Sequence, residues 1–136
     1  IRAVFSAGFA SEDDVRAAIS RVWTESGYLC DPHTAVAFSV LAEYRRSAEY
    51  TDNKCVVLST ASPFKFPAAV LSAIGGDVTG DEFADMAALS RMSGRAAPEN
   101  LASLRSLPVR HTDVIDRADL TRYVSDILSN GGFDSI

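Results

Sequence analysis

The sequence predicts an α/β fold in which helices pack on a small, mostly parallel sheet. Residues 55–58 form a continuous apolar run, which is typical of a strand buried on both faces, and parallel sheets are covered by helices in this way. Several other segments carry apolar residues at helical spacing. With 136 residues, 47% of them hydrophobic, residues 1–136 are expected to form a single domain with its own core.

The first helix is predicted over residues 11–27. Ser11 can cap the free N–H groups of the first turn, and the three acidic residues after it favour the positive end of the helix dipole. Gly27 is suited to end the helix. One apolar stripe is formed by Val15, Ala18, Ile19, Val22 and Trp23.

A second helix is predicted to begin at Asp31 and Pro32. Aspartate is a strong N-cap, and proline is favoured at the first helical position because its missing N–H has no partner there. Its apolar stripe comprises Val36, Val40 and Tyr44, with Ala37 and Leu41 beside them.

The remaining elements follow the predicted strand. A small polar turn at residues 59–63 leads to a helix within residues 64–74, which Gly75 and Gly76 stop. Further helices are predicted at residues 81–92 and, shorter, within residues 96–104. Residues 107–111 are expected to be a turn or a short edge strand. Asp116 or Asp119 is expected to cap a last helix that ends at residues 130–132.

Charge and composition exclude several classes of protein. The formal net charge is −5 and there is no basic run, so nucleic-acid binding is not expected. No stretch reaches the roughly 18 to 20 apolar residues of a membrane span. Cys30 and Cys55 are expected to be reduced, buried thiols in a cytoplasmic protein. The chain begins at Ile1 without an initiator methionine or a signal peptide, which suggests a piece of a longer protein.

Polar residues near the second helix allow two interpretations. Asp31 and His33 could act together in acid–base chemistry, since histidine titrates near neutral pH. The favoured alternative is that Asp31 is a helix cap and His33 a first-turn residue. These two residues, with His111 and Asp113, could in principle ligate a metal, but their spacing matches no paired-ligand motif. No metal site is predicted.

The turn at residues 59–63 is the better candidate for a ligand site. In parallel sheets, ligands bind beyond the carboxyl ends of the strands, and this turn carries three hydroxyl groups. The equally weighted alternative is a helix start in which Ser62 is the cap and Pro63 the first residue. Lys65 is interpreted as a solvated charge.

Two motifs resemble segments of threonine synthases. Residues 27–36 (GYLCDPHTAV) resemble that family's GYLxDPHTAV segment, and residues 57–67 (VLSTASPFKFP) resemble its strand–turn–helix segment near the C-terminus. Residues 107–112 and the last helix are similar to the family's tail. The two main motifs stand in family order and at a similar separation, and the similarity runs from about residue 5 to residue 128. The chain thus resembles the C-terminal portion of the family.

The resemblance implies a fold and an activity. Threonine synthases are pyridoxal-phosphate enzymes of the tryptophan-synthase-β-like fold, so the chain is expected to form part of a three-layer, fold-type II domain. These enzymes are carbon–oxygen lyases acting on phosphate in threonine biosynthesis. They convert O-phospho-L-homoserine and water to L-threonine and phosphate, with the cofactor as the electron sink.

The resemblance also implies residue roles. Thr60 matches the hydroxyl residue that faces the pyridine nitrogen of pyridoxal 5'-phosphate, and Ser59 and Ala61 match its neighbours in the cofactor-binding turn. Position 62 is serine where many relatives have histidine, so no role of that histidine is carried over to Ser62. The motif at residues 31–34 is interpreted mainly as structural.

No catalytic residue is assigned within the chain. The family's cofactor-binding lysine and its Gly-rich phosphate loop belong to the N-terminal half, and Lys54 and Lys65 stand in other motifs. The chain is therefore expected to be the C-terminal fragment of a larger enzyme, inactive without its missing N-terminal half. The resemblance leaves open whether two copies of the chain form a homodimer.

The alternative is a free-standing, non-catalytic module of the same fold that binds a small metabolite. An anionic metabolite could bind at the helix starts near Asp31 and Ser62, although the charge of Asp31 weakens that interpretation.

Overall fold

Helices joined by loops form the regular structure of the protein, as a computed structural model describes it for residues 4–47, 49–110 and 112–129. The α-helices are α1 (Glu12–Ser26), α2 (Pro32–Tyr44), α3 (Pro67–Ala73), α4 (Glu82–Ser93), α5 (Glu99–Ala102) and α6 (Leu120–Ser129). Short 3₁₀ helices occupy Pro63–Lys65, Ser103–Ser106 and Arg117–Asp119.

The predicted α/β class is wrong for the described residues, which contain no strand and therefore no parallel sheet. Residues 55–58 lie without regular structure, and the side chains of Val56 and Leu58 are 86% and 74% exposed. A strand is stabilised by hydrogen bonds to a neighbouring strand, and the described parts of the chain supply none. The three-layer, fold-type II arrangement depends on that sheet and is likewise not supported.

Helix α1 confirms the first predicted element at both ends. The Ser11 hydroxyl accepts a hydrogen bond from the Asp14 N–H at 3.3 Å, and the Asp14 carboxylate accepts one from the Ser11 N–H at 2.9 Å. This reciprocal pair is a capping box that satisfies two otherwise free donors. Gly27 ends the helix in the left-handed conformation, with φ of 65°.

Helix α2 begins as predicted, with Asp31 as N-cap and Pro32 in the first turn. Its predicted apolar stripe does not face the core, however. The buried residues of α2 are Thr34 and Ala35, whereas Ala37 and Tyr44 are exposed. The spacing of apolar residues located a helix correctly but did not tell which face is covered by other helices.

The later helices also agree with the sequence. Ser62 caps the 3₁₀ helix Pro63–Lys65, and α3 then ends before Gly75. Asp81 caps α4. Asp116 caps Arg117–Asp119, which runs directly into α6. Residues 107–110 lack regular structure, and the predicted helix end at residues 130–132, like residue 111, lies outside the described residues.

Helices α1 to α4 supply most of the core. Helix α1 packs against α2 and α3, and α3 packs against α4. The largest fully buried apolar side chains are Ile19, Val70, Leu71 and Leu89. Burial of apolar surface on neighbouring helices is the main force that holds these elements together.

Two compact units divide the chain, Ile1–Ser106 and Leu107–Ile136. The first contains the core of α1 to α4. In the second, the Tyr123 hydroxyl donates to the Asp113 carboxylate at 2.8 Å. The assignment of residues 1–136 to one domain of a larger enzyme stays a prediction.

The two thiols are free and differ in burial. Cys30 is buried, and burial together with the nearby Asp31 charge raises the pKa of its thiol to about 11. Cys55 is only partly buried, so the prediction of a buried thiol is wrong at that position. None of the helices within the described ranges combines the length and apolar character needed to cross a bilayer.

Core packing predicts a large effect at Leu89. Its side chain is fully buried, so Leu89→Ala should lower the free energy of unfolding of the 136-residue chain by about 2 to 5 kcal/mol, measured by urea denaturation. Leu104→Ala is the matched control. Because Leu104 is 50% exposed, this substitution should lower the free energy of unfolding clearly less. Equal losses for the two variants would contradict the assigned core.

Candidate functional site

The carboxylate of Asp31 is fully buried at the start of α2. Its Oδ1 accepts hydrogen bonds from the N–H groups of His33, at 2.9 Å, and Thr34, at 3.3 Å. Its Oδ2 accepts a short hydrogen bond from the Thr34 hydroxyl. Both oxygens therefore have donors from the first turn of the helix, which is what a buried carboxylate requires.

Thr34 connects this helix start to the turn predicted as a ligand site. The Thr34 hydroxyl oxygen donates to Asp31 and accepts a hydrogen bond from the Thr60 N–H at 3.3 Å. The two residues are 26 positions apart in the chain. The structure thus brings together the two main sequence motifs, residues 27–36 and 57–67, through one buried hydroxyl group.

Thr60 is exposed, and its own hydroxyl has no hydrogen-bond partner among the described residues. It lines a cavity of about 450 Å³ between α2 and residues 56–58. The cavity is mostly apolar, and its other lining residues are Ser6, His33, Ala37, Val40, Leu41, Tyr44, Val56, Val57 and Leu58. Ser59 and Ala61 flank Thr60 in the chain but do not line this cavity.

His33 lies on the same cavity as Thr60. Its Nδ1 is 3.2 Å from Oδ1 of Asp31, and its ring centroid is 5.0 Å from that of Phe66, with the planes tilted by 54°. The side chain is 62% exposed. The favoured interpretation is confirmed: Asp31 caps the helix and His33 lies in its first turn.

The Asp31 carboxyl group is held in its charged form. Burial alone would raise its pKa, but hydrogen bonds from the Thr34 hydroxyl and from the N–H groups of Thr34 and His33 outweigh burial. The pKa therefore lies below the ordinary value of 3.8. A fixed negative charge accordingly lies next to the His33 ring at neutral pH.

The structure also assigns roles that the sequence patterns did not indicate. The Thr34 hydroxyl was missed, because nothing in sequence spacing shows that it reaches Thr60. Asp85 was also missed: it is buried, its Oδ1 accepts from the N–H and the hydroxyl of Thr79 at 2.8 Å each, and no described residue donates to its Oδ2. Its position in the first turn of α4 was the only available signal.

The remaining candidates are not brought to this cavity. Lys54 and Lys65 are exposed and do not line it, which for Lys65 agrees with a solvated charge. Across the described ranges, no three histidine, cysteine, aspartate or glutamate side chains are grouped as metal ligands would be. His111 falls outside those ranges. The prediction of no metal site stays a prediction.

Asp31→Asn tests the buried charge. Asparagine still caps a helix, but it cannot accept charge-assisted hydrogen bonds at both positions, so the free energy of unfolding at pH 7 should fall by about 1 to 3 kcal/mol. Because the folded-state pKa is lowered, the carboxylate contributes stability above its ordinary pKa and loses it as pH falls through the folded value. The difference between wild type and variant should therefore shrink below about pH 4.

Urea denaturation from pH 7 to pH 3 measures this difference. Asp13→Asn is the control, because the Asp13 side chain is 92% exposed and its contact with Arg16 is long, at 3.9 Å. A difference for Asp31→Asn that stays constant over the whole range would contradict the role assigned to the charge.

Comparison with known proteins gives consistent matches. A family model described as threonine synthase, C-terminal, matches residues 34–124. The chain is 44% identical to threonine synthase-like 1 of Mus musculus over 73 residues, which are 52% of this chain and 9% of that protein. It is 39% identical to threonine synthase of Pseudomonas aeruginosa over 69 residues, 51% of this chain and 14% of that protein.

A third relative covers more of the chain. Threonine synthase of Corynebacterium glutamicum is 26% identical over 127 residues, which are 93% of this chain and 22% of that protein. The chain therefore spans less than a quarter of the length of these curated relatives. The family match confirms the resemblance to threonine synthases: it includes residues 57–67 and the last three residues of the 27–36 segment, and it covers more than half of the chain. On this ground the chain belongs to the threonine synthase C-terminal family.

Proposed function

We propose that this chain is the C-terminal portion of a threonine synthase whose complete form converts O-phospho-L-homoserine and water to L-threonine and phosphate. Family membership and the matches to proteins named threonine synthase support this proposal. The observation that carries it is the hydrogen bond between Thr34 and Thr60, because it joins the two family-like motifs, from which His33 and Thr60 line one cavity.

The cofactor in this proposal is pyridoxal 5'-phosphate, which when bound supplies an electron sink for the substrate carbon atoms. Thr60 would hold the pyridine nitrogen. Its hydroxyl is exposed, lacks a partner among the described residues and lines the cavity, so it is available to a ligand. A hydroxyl fits a heterocyclic nitrogen because it can donate or accept a hydrogen bond without adding charge.

The neighbours of Thr60 would act through the shape of the turn. Ser59 and Ala61 flank Thr60, and we assign them to the cofactor-binding turn. Ser62 caps the following 3₁₀ helix by accepting from the Phe64 N–H at 3.3 Å, which fixes the far end of the turn. Small residues at positions 59 and 61 leave room for a ligand to approach the backbone.

His33 would be a second polar group at the same ligand. Its Nδ1 lies 3.2 Å from the Asp31 carboxylate, and this contact orients the ring. Nε2 has no partner among the described residues. Nε2 is therefore the ring nitrogen that is available for a hydrogen bond with a polar group bound in the cavity.

The chain by itself would be inactive. Catalysis of this kind needs a lysine at the cofactor, and neither Lys54 nor Lys65 lines the cavity of Thr60. The lysine and the phosphate loop would come from the N-terminal half of the complete enzyme. That half is therefore the partner that this portion requires.

Turnover assays on the complete protein and on the 136-residue chain test this proposal. With pyridoxal phosphate and O-phospho-L-homoserine, the complete protein should release phosphate and threonine, whereas the chain alone should release neither. Borohydride should trap the cofactor on a lysine outside residues 1–136. Trapping on Lys54 or Lys65 with turnover by the chain would contradict the proposal. Metabolite binding without turnover by the complete protein would favour the non-catalytic module.

Thr60→Val in the complete protein tests the residue assignment. Valine keeps the shape of threonine and removes the hydroxyl, so cofactor binding and kcat should together weaken by roughly 5- to 150-fold, the equivalent of about 1 to 3 kcal/mol. Thr24→Val is the matched control, because the Thr24 hydroxyl is bonded at 2.8 Å to the Ser20 carbonyl of its own helix. Unchanged cofactor affinity and turnover in Thr60→Val would show that Thr60 does not contact the cofactor.

A further inference from the structure

We propose that Thr34 is a positioning residue for the ligand-binding turn, and that it acts on the cofactor through Thr60. This inference rests on the proposed function, because it assigns an effect on the same cofactor site. It concerns a residue that lies behind the cavity, since Thr34 is 1% exposed and does not line it.

Residues 55–58, which precede Thr60, are not paired in a sheet within the described chain. No strand partner lies beside them in the described chain, and two of their four side chains are largely exposed. The backbone before Thr60 therefore lacks the ladder of hydrogen bonds that normally fixes the end of a strand. Within the described chain, the side chain that reaches the Thr60 backbone comes from α2.

The Thr34 hydroxyl holds the backbone of Thr60. It accepts a hydrogen bond from the Thr60 N–H at 3.3 Å. Because the N–H and the side chain of Thr60 share one Cα atom, fixing the backbone at this point limits where the Thr60 hydroxyl can go. The contact is to the backbone, so it leaves the Thr60 hydroxyl available to a ligand.

Two hydrogen bonds to Asp31 restrict the movement of the Thr34 side chain. Its hydroxyl donates to the buried carboxylate of Asp31, and its N–H donates to the other oxygen of the same group. The hydroxyl gives its one proton to Asp31, so its lone pairs stay available as acceptors, and the Thr60 N–H donates to them. A hydroxyl already committed as a donor to a carboxylate is also a better acceptor, because hydrogen bonds in series polarise one another.

Two substitutions at position 34 distinguish this positioning role from a role in packing alone. Thr34→Val keeps the volume but removes the hydroxyl, whereas Thr34→Ser keeps the hydroxyl and loses one methyl group. If Thr34 acts only through packing, serine should be the more harmful change. If it positions Thr60, valine should be the more harmful change at the cofactor.

The experiment measures the dissociation constant of pyridoxal phosphate by absorbance titration of the complete protein, at a temperature where every variant is folded. Thr34→Val should raise the constant by about three- to tenfold, the value of one hydrogen bond, and Thr34→Ser should restore it to near wild type. Thr24→Val, which removes a hydroxyl bonded only within its own helix, should leave it unchanged. Should Thr34→Val fail to fold, Thr34→Cys replaces it, because a thiol is a weak acceptor of similar size.

A double variant tests whether Thr34 acts through Thr60. In the Thr60→Val background the hydroxyl that Thr34 positions is gone, so adding Thr34→Val should change the dissociation constant by less than about twofold. The inference would be overturned if the effects of the two substitutions on the binding free energy of pyridoxal phosphate were fully additive. It would also be overturned if Thr34→Val bound pyridoxal phosphate with the wild-type dissociation constant.

The outcome for Thr60→Val separates this inference from the proposed function. If Thr60→Val raises the dissociation constant of pyridoxal phosphate and Thr34→Val leaves it at the wild-type value, only the role of Thr34 is overturned. No binding of pyridoxal phosphate by the wild-type protein would overturn the proposed function and this inference with it.

Discussion

The buried carboxylate of Asp31 is the group on which the arrangement of the site depends. Burial of a carboxylate costs free energy unless donors compensate it, and here both oxygens have donors from the first turn of α2. The same requirement fixes the direction of the Thr34 hydroxyl and holds Nδ1 of the His33 ring. A local rule about helix starts thereby sets the position of the His33 ring, which lines the cavity, and of the Thr34 hydroxyl, which accepts from the Thr60 N–H.

This constraint compensates for the absence of a sheet in the described residues. Residues 55–58 are apolar but not paired, so their end would be poorly fixed without another contact. The hydrogen bond from the Thr60 N–H to Thr34 supplies that contact across 26 residues of sequence. The side chains of Val56 and Leu58 remain exposed, so packing does not fix this segment within the described residues either.

Sequence reasoning predicted the local features well and the long-range ones poorly. Helix boundaries follow from caps and stop residues, such as Ser11 and Gly27 of α1, because these act over three or four positions of chain. The strand at residues 55–58 was wrong because an apolar run indicates burial without specifying a pairing partner. The predicted stripe of α2 failed for a related reason: its spacing is helical, but the covered face depends on which helices pack against it.

The site shows the same division. The cap role of Asp31 could be predicted from its place before Pro32, whereas the contact between Thr34 and Thr60 is tertiary and leaves no mark in residue spacing. The assignment of Thr60 came from the resemblance of residues 57–67 to a family segment and not from residue spacing. It gave no indication that the two motifs meet through a hydroxyl group.

A crystal structure of the complete protein with pyridoxal phosphate would test the central claim most directly, through the distance between Oγ1 of Thr60 and the pyridine nitrogen. We expect a hydrogen bond of about 2.6 to 3.2 Å at this point, together with an intact bond between the Thr60 N–H and the Thr34 hydroxyl. A pyridine nitrogen that is bound by another residue, with Thr60 away from the cofactor, would contradict the assignment of this turn as the cofactor site.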